Sequence, residues 1–203
     1  MQYNGKQIIL ATWNETKQRW LQQGFMAASL PVRPLYPGEV PDVDETGDTC
    51  VENALLKARA VYQTLKDENG VVVAEDSALC VDALAGFPGA RTARWAPGSD
   101  DDRSRLLLEK LAHIPEAQRT AHFLSVIALI FPAGQEHLCD GTLYGSIALA
   151  PLGEYAEGYD RIFTLSDGQT IAQVGRAQVE PFDHRRQAIH KALALIQAWT
   201  MQT

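Results

Sequence analysis

The amino-acid sequence predicts an α/β fold in which a central mixed sheet is flanked by helices. Short apolar segments typical of buried strands alternate with segments whose apolar residues recur at helical spacing. Two long strand-like segments also follow one another directly in the middle of the chain. Alternation favours parallel strands covered by helices, whereas consecutive strands favour antiparallel pairing, so one sheet with both is expected. The 203 residues contain no repeat, low-complexity segment or linker, which indicates a single domain over residues 1–203.

The first half of the chain predicts a strand, a helix, a long loop and a second helix. Residues 7–12 are apolar and end at a turn, and the apolar residues of 14–28 fall on one helix face. Residues 30–47 are rich in proline and acidic residues, which is typical of an exposed loop. Thr49 and Glu52 have the spacing of a capping box and predict the start of the second helix.

The second half of the chain predicts four strands, a turn and two helices. Residues 71–74 are apolar and predict a buried strand that ends where two acidic residues follow. A turn is expected at residues 86–89, and three aspartates from Asp100 onward favour a helix start, where negative charge is stabilising. The other predicted elements are strands at residues 120–131, 137–148 and 161–165 and a final amphipathic helix at residues 184–199.

The composition excludes several classes of function. A formal net charge of −7 does not supply the basic field that sequence-independent nucleic-acid binding requires, so no nucleic-acid polymer is expected as a partner. A polyanionic ligand would have to be held by a few local cations and a metal. The three cysteines (Cys50, Cys80 and Cys139) are far apart and are interpreted as reduced thiols. With no apolar run long enough for a bilayer and no N-terminal signal segment, we expect a cytosolic protein without a membrane partner.

A strand-to-helix turn near the N-terminus is a candidate phosphate site. Phosphates bind where backbone N–H groups at a helix N-terminus lie near a cation. Thr12 or Asn14 can supply a side-chain donor, and Lys17 supplies the charge. The glycine-rich loop of P-loop proteins is absent. The alternative is an ordinary capped surface helix with a solvated lysine.

Two acidic clusters are candidates for binding Mg²⁺, a cation that prefers oxygen ligands and retains several waters. One lies in the predicted loop and contains Asp42, Asp44 and Glu45. For these three residues the favoured interpretation is that the carboxylates are simply solvated and bind no metal. The other cluster contains Glu75 and Asp76 and follows a predicted buried strand, where carboxylates are costly unless they are paired or bind metal. A functional role is favoured for Asp76.

Two segments in the last quarter of the chain could contact a nucleotide base. A Gly-Tyr-Asp sequence can approach a base closely, and His-Arg at a helix start can donate hydrogen bonds to a 6-oxo group or to phosphates. The alternative for each segment is structural, namely a turn and a charged helix N-terminus. The residues concerned are Glu157, Gly158, Tyr159, Asp160, Asp183, His184, Arg185 and Arg186.

Taken in chain order, these segments resemble the inosine triphosphate pyrophosphatase family, enzymes that remove deaminated purine nucleotides. The resembling segments are residues 11–17, 45–47, 52–59, 74–79, 86–89, 158–160 and 184–185. One such segment would be a weak signal, but the ordered set covers nearly the whole chain. The departures described below make this chain a divergent member.

The resemblance implies an elongated α/β fold with a central mixed sheet, two lobes and an active-site cleft between them, usually in a homodimer. It implies Mg²⁺-dependent hydrolysis of non-standard purine nucleoside triphosphates (ITP, XTP and dITP) to the monophosphate and pyrophosphate. Asp76 would be the catalytic carboxylate that activates water, and it would share Mg²⁺ with Glu45 or Asp44.

The resemblance also implies the substrate contacts. Thr12, Asn14 and Lys17 would hold phosphates, with Trp13 in the same turn, and Ser77 would touch the substrate. The positions that would line the base are Glu157, Gly158, Tyr159, Asp160, His184 and Arg185.

Several positions depart from the family pattern, mostly on the base side. Trp13 stands where the family usually has a small residue, and Glu157 stands where a stacking phenylalanine is expected. Val179 replaces a lysine that contacts substrate, and Asp183 replaces the serine before His-Arg. Each lost contact is worth about 1–3 kcal/mol, so we expect weak selectivity for inosine or xanthosine triphosphate, or a shifted preference. A neighbouring tyrosine, Tyr155 or Tyr159, could instead take over the stacking.

Three functions are therefore compatible with the sequence. The first is a nucleoside triphosphate pyrophosphatase, favoured by Lys17, Asp76 and the acidic loop. The second is a nucleotide-binding sensor of the same fold with little turnover, favoured by Trp13 and by Val179. The third is a structural or partner-binding protein.

Overall fold

The computed structural model describes residues 5–201, and the strands in this part of the chain form one mixed sheet of seven. The strands are β1 (Gln7–Leu10), β2 (Val32–Pro34), β3 (Gly70–Val81), β4 (Phe87–Gly89), β5 (Thr120–Ile130), β6 (Glu136–Ile147) and β7 (Phe163–Thr164). Their order is β2-β1-β3-β5-β6-β7, with β4 also paired to β3. β1 is parallel to β2 and β3, whereas β4 is antiparallel to β3 and β7 is antiparallel to β6. The predicted mixed sheet is confirmed.

Six α-helices lie within residues 5–201. They are α1 (Glu15–Phe25), α2 (Cys50–Leu65), α3 (Asp100–Lys110), α4 (Ile171–Val174), α5 (Arg176–Val179) and α6 (His184–Thr200). Both predicted capping signals operate. The Thr49 hydroxyl accepts from the backbone N–H of Glu52 and the Glu52 carboxylate accepts from the N–H of Thr49, while three aspartates occupy the first turn of α3.

The sequence interpretation was wrong about β3. Residues 71–74 predict a four-residue strand, but β3 has 12 residues and is buried along most of its length, so Glu75 and Asp76 lie in mid-strand. Two shorter strands also lie in segments predicted as a loop and a turn, β2 within residues 30–47 and β4 within residues 86–89. β2 is the edge strand of the sheet, a position that tolerates its proline.

The chain divides into two compact units, each with its own apolar core. The first comprises the chain up to Asp76, Ser125–Gly141 and the chain from Arg185 onward, and the second comprises Ser77–Leu124 and Thr142–His184. The first core contains Leu10, Leu21, Phe25, Val73, Ile127, Leu129, Ile189 and Ile196. The second core contains Leu79, Leu107, Leu111, Phe123, Leu143, Ile147, Phe163 and Val179.

The three cysteines are reduced thiols, as predicted, with Cys50 and Cys139 buried and Cys80 partly buried. Among the helices of residues 5–201, none has the length and apolarity needed to cross a membrane.

Candidate active site

Asp76 is held between two lysines in the first unit. Its side chain is almost completely buried in β3, and its Oδ1 lies 3.3 Å from Lys57 Nζ and 3.9 Å from Lys17 Nζ. Burial raises the pKa of Asp76, the two lysines lower it, and nearby Glu45 and Glu75 raise it again. The result is a carboxylate with a pKa above its ordinary value, hence a stronger base than an exposed aspartate.

Lys17 reaches this carboxylate from the first turn of α1. Asn14 is the N-cap of α1, and its Oδ1 accepts hydrogen bonds from the backbone N–H groups of Thr16 (2.9 Å) and Lys17 (3.0 Å). Thr12 is buried, and its hydroxyl accepts from the backbone N–H of Asn14 at 3.3 Å. The predicted phosphate residues therefore shape one strand-to-helix turn. Here Lys17 is not the solvated lysine of the alternative interpretation, because its ammonium pairs with Glu75 at 2.8 Å.

Glu75 is the fixed counter-ion of this turn. Its fully buried carboxylate accepts a hydrogen bond from the Ser125 hydroxyl at 2.8 Å as well as pairing with Lys17. Burial alone would raise the pKa of Glu75. The charges of Lys17 and Arg185 and the hydrogen bonds from Lys17 and Ser125 outweigh burial and lower the pKa of Glu75 to about 2. Burial likewise lowers the pKa of Lys17, but the attraction of Glu75 and Asp76 raises it above its ordinary value.

The acidic loop is anchored to α2 beside Asp76. Lys57 Nζ donates to Glu45 Oε1 at 2.5 Å and to Asp76 Oδ1 at 3.3 Å, so one ammonium joins the two carboxylates. Asn53, fully buried on α2, accepts from the backbone N–H of Gly47 at 2.8 Å and donates to Asp76 Oδ2 at 3.5 Å. A Cβ on Gly47 would lie 2.7 Å from Asn53 Oδ1, so this close approach requires glycine.

The predicted metal ligands are only partly brought together. Glu45 and Asp76 face the same ammonium, whereas Asp44 is exposed. In the described part of the chain no three His, Cys, Asp or Glu side chains are grouped closely enough to hold a metal ion. Two carboxylates nevertheless fit Mg²⁺, which commonly takes one or two protein carboxylates and completes its shell with waters and substrate phosphates. The positive charge of Lys57 already lies where those two carboxylates converge.

Trp13 connects the phosphate turn to the acidic loop. It is partly buried, and its indole N–H donates to the carbonyl oxygen of Val40 at 3.2 Å. The large residue in this turn therefore has a structural partner on the segment that leads to Glu45.

In the second unit, the Gly-Tyr-Asp segment forms a 3₁₀ turn at Gly158–Arg161. The N–H of Gly158 donates to Asp101 Oδ1 at 2.8 Å, and its φ of 62° favours glycine. The Tyr159 hydroxyl accepts from the indole N–H of Trp95 (2.8 Å) and donates to the carbonyl of Thr92 (2.9 Å). Burial is the main reason that the pKa of Tyr159 rises to about 12. The ring of Tyr159 belongs to the core of this unit and does not offer a free face for stacking on a base.

An arginine outside the predicted set organises the rest of this region. Arg176 on α5 makes a bidentate pair with Asp160, with Nε–Oδ2 at 2.6 Å and Nη2–Oδ1 at 2.7 Å. Its Nη1 also lies 3.4 Å from Asp183 Oδ2. Asp183 Oδ1 contacts Nδ1 of His184, whose buried ring stacks on Phe123 at 5.2 Å and 12°. We call Asp160, Arg176, Asp183 and His184 the Arg176 cluster.

The remaining predicted positions have varied surroundings. Glu157 is exposed, and Ser77 is partly buried on β3. Arg185, in the first unit, has its guanidinium 5.5 Å from the ring centroid of Trp20 and contributes to the low pKa of Glu75. Val179 is buried in the apolar core of the second unit. Its side chain has no hydrogen-bond donor to offer a base.

Sequence reasoning did not select Asn53, Lys57 or Arg176 as site residues. Asn53 and Lys57 stand four residues apart, one turn along the face of α2 that is buried, and a polar pair on a buried face was the available signal. Arg176 left no comparable signal, because Asp160 and Asp183 stand 16 and 7 residues from it, outside the short helix that carries it, and meet it only in the folded unit.

The fold and these side chains define a class of protein. A mixed α/β sheet presents a buried, basic carboxylate between two lysines, beside a second carboxylate. That combination is typical of enzymes that hydrolyse phosphate anhydrides.

The chain belongs to the Ham1 family, whose match covers residues 8–195. It is 43% identical over 194 residues to the dITP/XTP pyrophosphatase of Symbiobacterium thermophilum, covering 95% of this chain and 96% of that protein. The structure resembles that of the Staphylococcus aureus Ham1 protein, with a TM-score of 0.84, 35% identity and coverage of 96% and 100%. A Ham1 protein from Coxiella burnetii gives a TM-score of 0.85 at 31% identity, with coverage of 95% and 99%. The family resemblance expected from the sequence is confirmed.

Proposed function

We propose that this protein is a Mg²⁺-dependent pyrophosphatase that converts non-standard purine nucleoside triphosphates, such as ITP, XTP and dITP, to the monophosphate and pyrophosphate. The observation that carries the proposal is Asp76, a buried carboxylate of raised pKa held between Lys17 and Lys57. The proposal is further supported by the similarity to proteins named dITP/XTP pyrophosphatase.

In the proposed mechanism the lysines neutralise charge and Asp76 handles the proton. Lys17 and Lys57 lie close enough to Asp76 to contact a triphosphate whose attacked phosphorus is near this carboxylate. Asp76 orients a water molecule and accepts its proton as the oxygen attacks the α–β linkage. The raised pKa makes Asp76 a better proton acceptor than an exposed aspartate, and the neighbouring lysines oppose part of the rise that burial causes.

The carboxylates of Glu45 and Asp76 would hold Mg²⁺. When bound, Mg²⁺ supplies charge neutralisation on the phosphates and polarises the bond that breaks. Glu75 would not be a ligand, because its carboxylate is committed to Lys17 and Ser125. Its role is to hold the Lys17 ammonium beside the first turn of α1.

For the base we propose a weakened selectivity. Val179 offers no hydrogen-bond donor, Glu157 is exposed and Tyr159 is locked by its hydroxyl. Tyr155, which is largely exposed, is the remaining candidate for stacking. The Gly158–Arg161 turn and the His184-Arg185 segment stay the predicted contacts of the base. We further propose that the protein is homodimeric, as the family resemblance implies, and that it is cytosolic, as the sequence predicts.

A nucleotide panel with identification of products tests the proposal. Purified protein is incubated with MgCl₂ and ITP, XTP, GTP, ATP or dUTP, and the products are resolved by phosphorus NMR. Monophosphate with pyrophosphate is expected, and release of orthophosphate with accumulation of diphosphate would place the attack at the γ-phosphate and reject the mechanism. Binding of a nucleotide without turnover would instead indicate a nucleotide-binding sensor of the same fold. In the same panel, a preference in kcat/KM for ITP above ~100-fold would contradict weakened selectivity.

A further inference from the structure

We propose that Arg176 is a positioning residue that sets the base selectivity of this enzyme. The inference rests on the proposed function, which assigns the base to the Gly158–Arg161 turn and to His184. Arg176 itself belongs to neither segment.

The pair between Arg176 and Asp160 differs from an ordinary surface ion pair. The side chains of Asp160 and Asp183 are only 6% and 10% exposed, whereas Arg176 is 42% exposed. Buried carboxylates are costly without a counter-charge, and the two-pronged geometry of a guanidinium fixes the orientation of the carboxylate it binds. Arg59 and Glu136 form an equally short bidentate pair, but with side chains 49% and 35% exposed, where such a pair contributes little.

One guanidinium joins both segments assigned to the base. Through Nε and Nη2 it fixes Asp160 in the Gly158–Arg161 turn, and through Nη1 it contacts Asp183 at the start of α6. Asp183 in turn contacts Nδ1 of His184, whose ring is held from the other side by Phe123. Arg176 therefore determines where the 3₁₀ turn stands relative to the imidazole.

This arrangement affects selectivity more than chemistry. A purine is distinguished by the pattern of donors and acceptors on its edge, so the groups that read it must keep a fixed spacing. The lysines and carboxylates around Asp76 do not include Arg176 among their contacts. Loss of Arg176 should reduce discrimination between bases and raise KM for the preferred nucleotide, with a smaller change in kcat.

The test compares Arg176→Gln, Arg176→Lys, Asp160→Asn and the double variant Arg176→Gln/Asp160→Asn with Arg59→Gln as a matched control. For each protein, kcat and KM are measured with the nucleotide panel, and folding is checked by circular dichroism and thermal melting. We expect Arg176→Gln to lower the ratio of kcat/KM between the preferred nucleotide and ATP by at least about fivefold, and Arg176→Lys to fall between it and the wild type. Arg59→Gln should leave the ratio unchanged. Because Arg176 and Asp160 act as one pair, their effects should be less than multiplicative in the double variant.

Each contrary result has a distinct meaning. An equal loss of activity toward all nucleotides in Arg176→Gln, or a selectivity ratio that matches Arg59→Gln, would overturn the inference while leaving the proposed function intact. Multiplicative effects of Arg176→Gln and Asp160→Asn would also overturn it. If the wild type released orthophosphate, the proposed function would fail first, and this would be seen in the product analysis. If the wild type hydrolysed all nucleotides equally, Arg176 would have no selectivity to set and the inference would be wrong.

Discussion

Lys57 offers the sharpest test of how the carboxylate of Asp76 is tuned. Its ammonium is almost fully buried and lies 3.3 Å from Asp76 Oδ1. With an effective dielectric constant of about 20, Coulomb's law gives an attraction of about 5 kcal/mol at that distance. Lys57→Gln removes this attraction and leaves that of Lys17, which lies 3.9 Å from Asp76 Oδ1, so we expect the pKa of Asp76 to rise further above its ordinary value.

The assay is the pH dependence of kcat/KM at a fixed Mg²⁺ concentration. Asp76 must be ionised to accept a proton, so activity is lost as the pH falls through its pKa. Removing a cation raises that pKa, and the acid limb of the profile should therefore move to higher pH. Lys57→Arg keeps the charge and should move the limb less. The control is Lys191→Gln, which removes an exposed lysine paired to Asp140 at 3.0 Å.

An acid limb in Lys57→Gln that lies within about 0.3 pH units of the wild type, in protein shown to be folded by circular dichroism, would contradict the role of Lys57 in tuning Asp76. The catalytic base would then be a group that Lys57 does not touch.

Three further predictions concern Asp76 and the charged residues around it. Asp76→Asn should lower turnover by roughly 10²-fold or more with folding preserved, and near-normal turnover measured in steady state would mean that the catalytic carboxylate lies elsewhere. Lys17→Ala should chiefly raise KM for the triphosphate, and an unchanged KM would remove Lys17 from phosphate binding. The folded-state pKa of Glu75 is about 2, below its ordinary value of 4.5, so its contribution to stability is present above pH ~4.5 and is lost as pH falls towards 2. Urea unfolding between pH 6 and 2 should show a shallower decline in the free energy of unfolding for Glu75→Gln than for the wild type; parallel curves would contradict the low pKa.

Much of the fold could be predicted because periodicity and capping are local properties. The strands at residues 120–131 and 137–148 and the last helix were placed within about two residues of their observed bounds. The length of β3 could not be predicted in the same way. Acidic residues normally end a buried strand, and Glu75 and Asp76 continue it only because lysines from α1 and α2 reach them.

In the candidate site too, residues at local sequence features could be predicted, whereas residues defined by tertiary contacts could not. Lys17 and Asp76 could be selected because each stands at a recognisable local feature, a capped helix start and the end of an apolar run. Asp44 and Glu45 could not be told apart, since only the position of Lys57 distinguishes the exposed residue from the paired one. Arg176 contacts Asp160 and Asp183 across turns rather than along one helix or strand, and no periodic pattern in the sequence indicates such contacts.

The pairing of both lysines with the protein's own carboxylates has a consequence for binding. Lys17 and Lys57 already have anionic neighbours in Glu75, Asp76 and Glu45. An arriving triphosphate therefore exchanges one set of negative partners for another and gains only the difference in energy between the two sets. The protein's own carboxylates act as occupants that a ligand must outcompete, so a single phosphate or a stray anion gains little here. Only a ligand that contacts both lysines at once compensates for the ion pairs that are lost. Binding should therefore depend on the length of the phosphate chain.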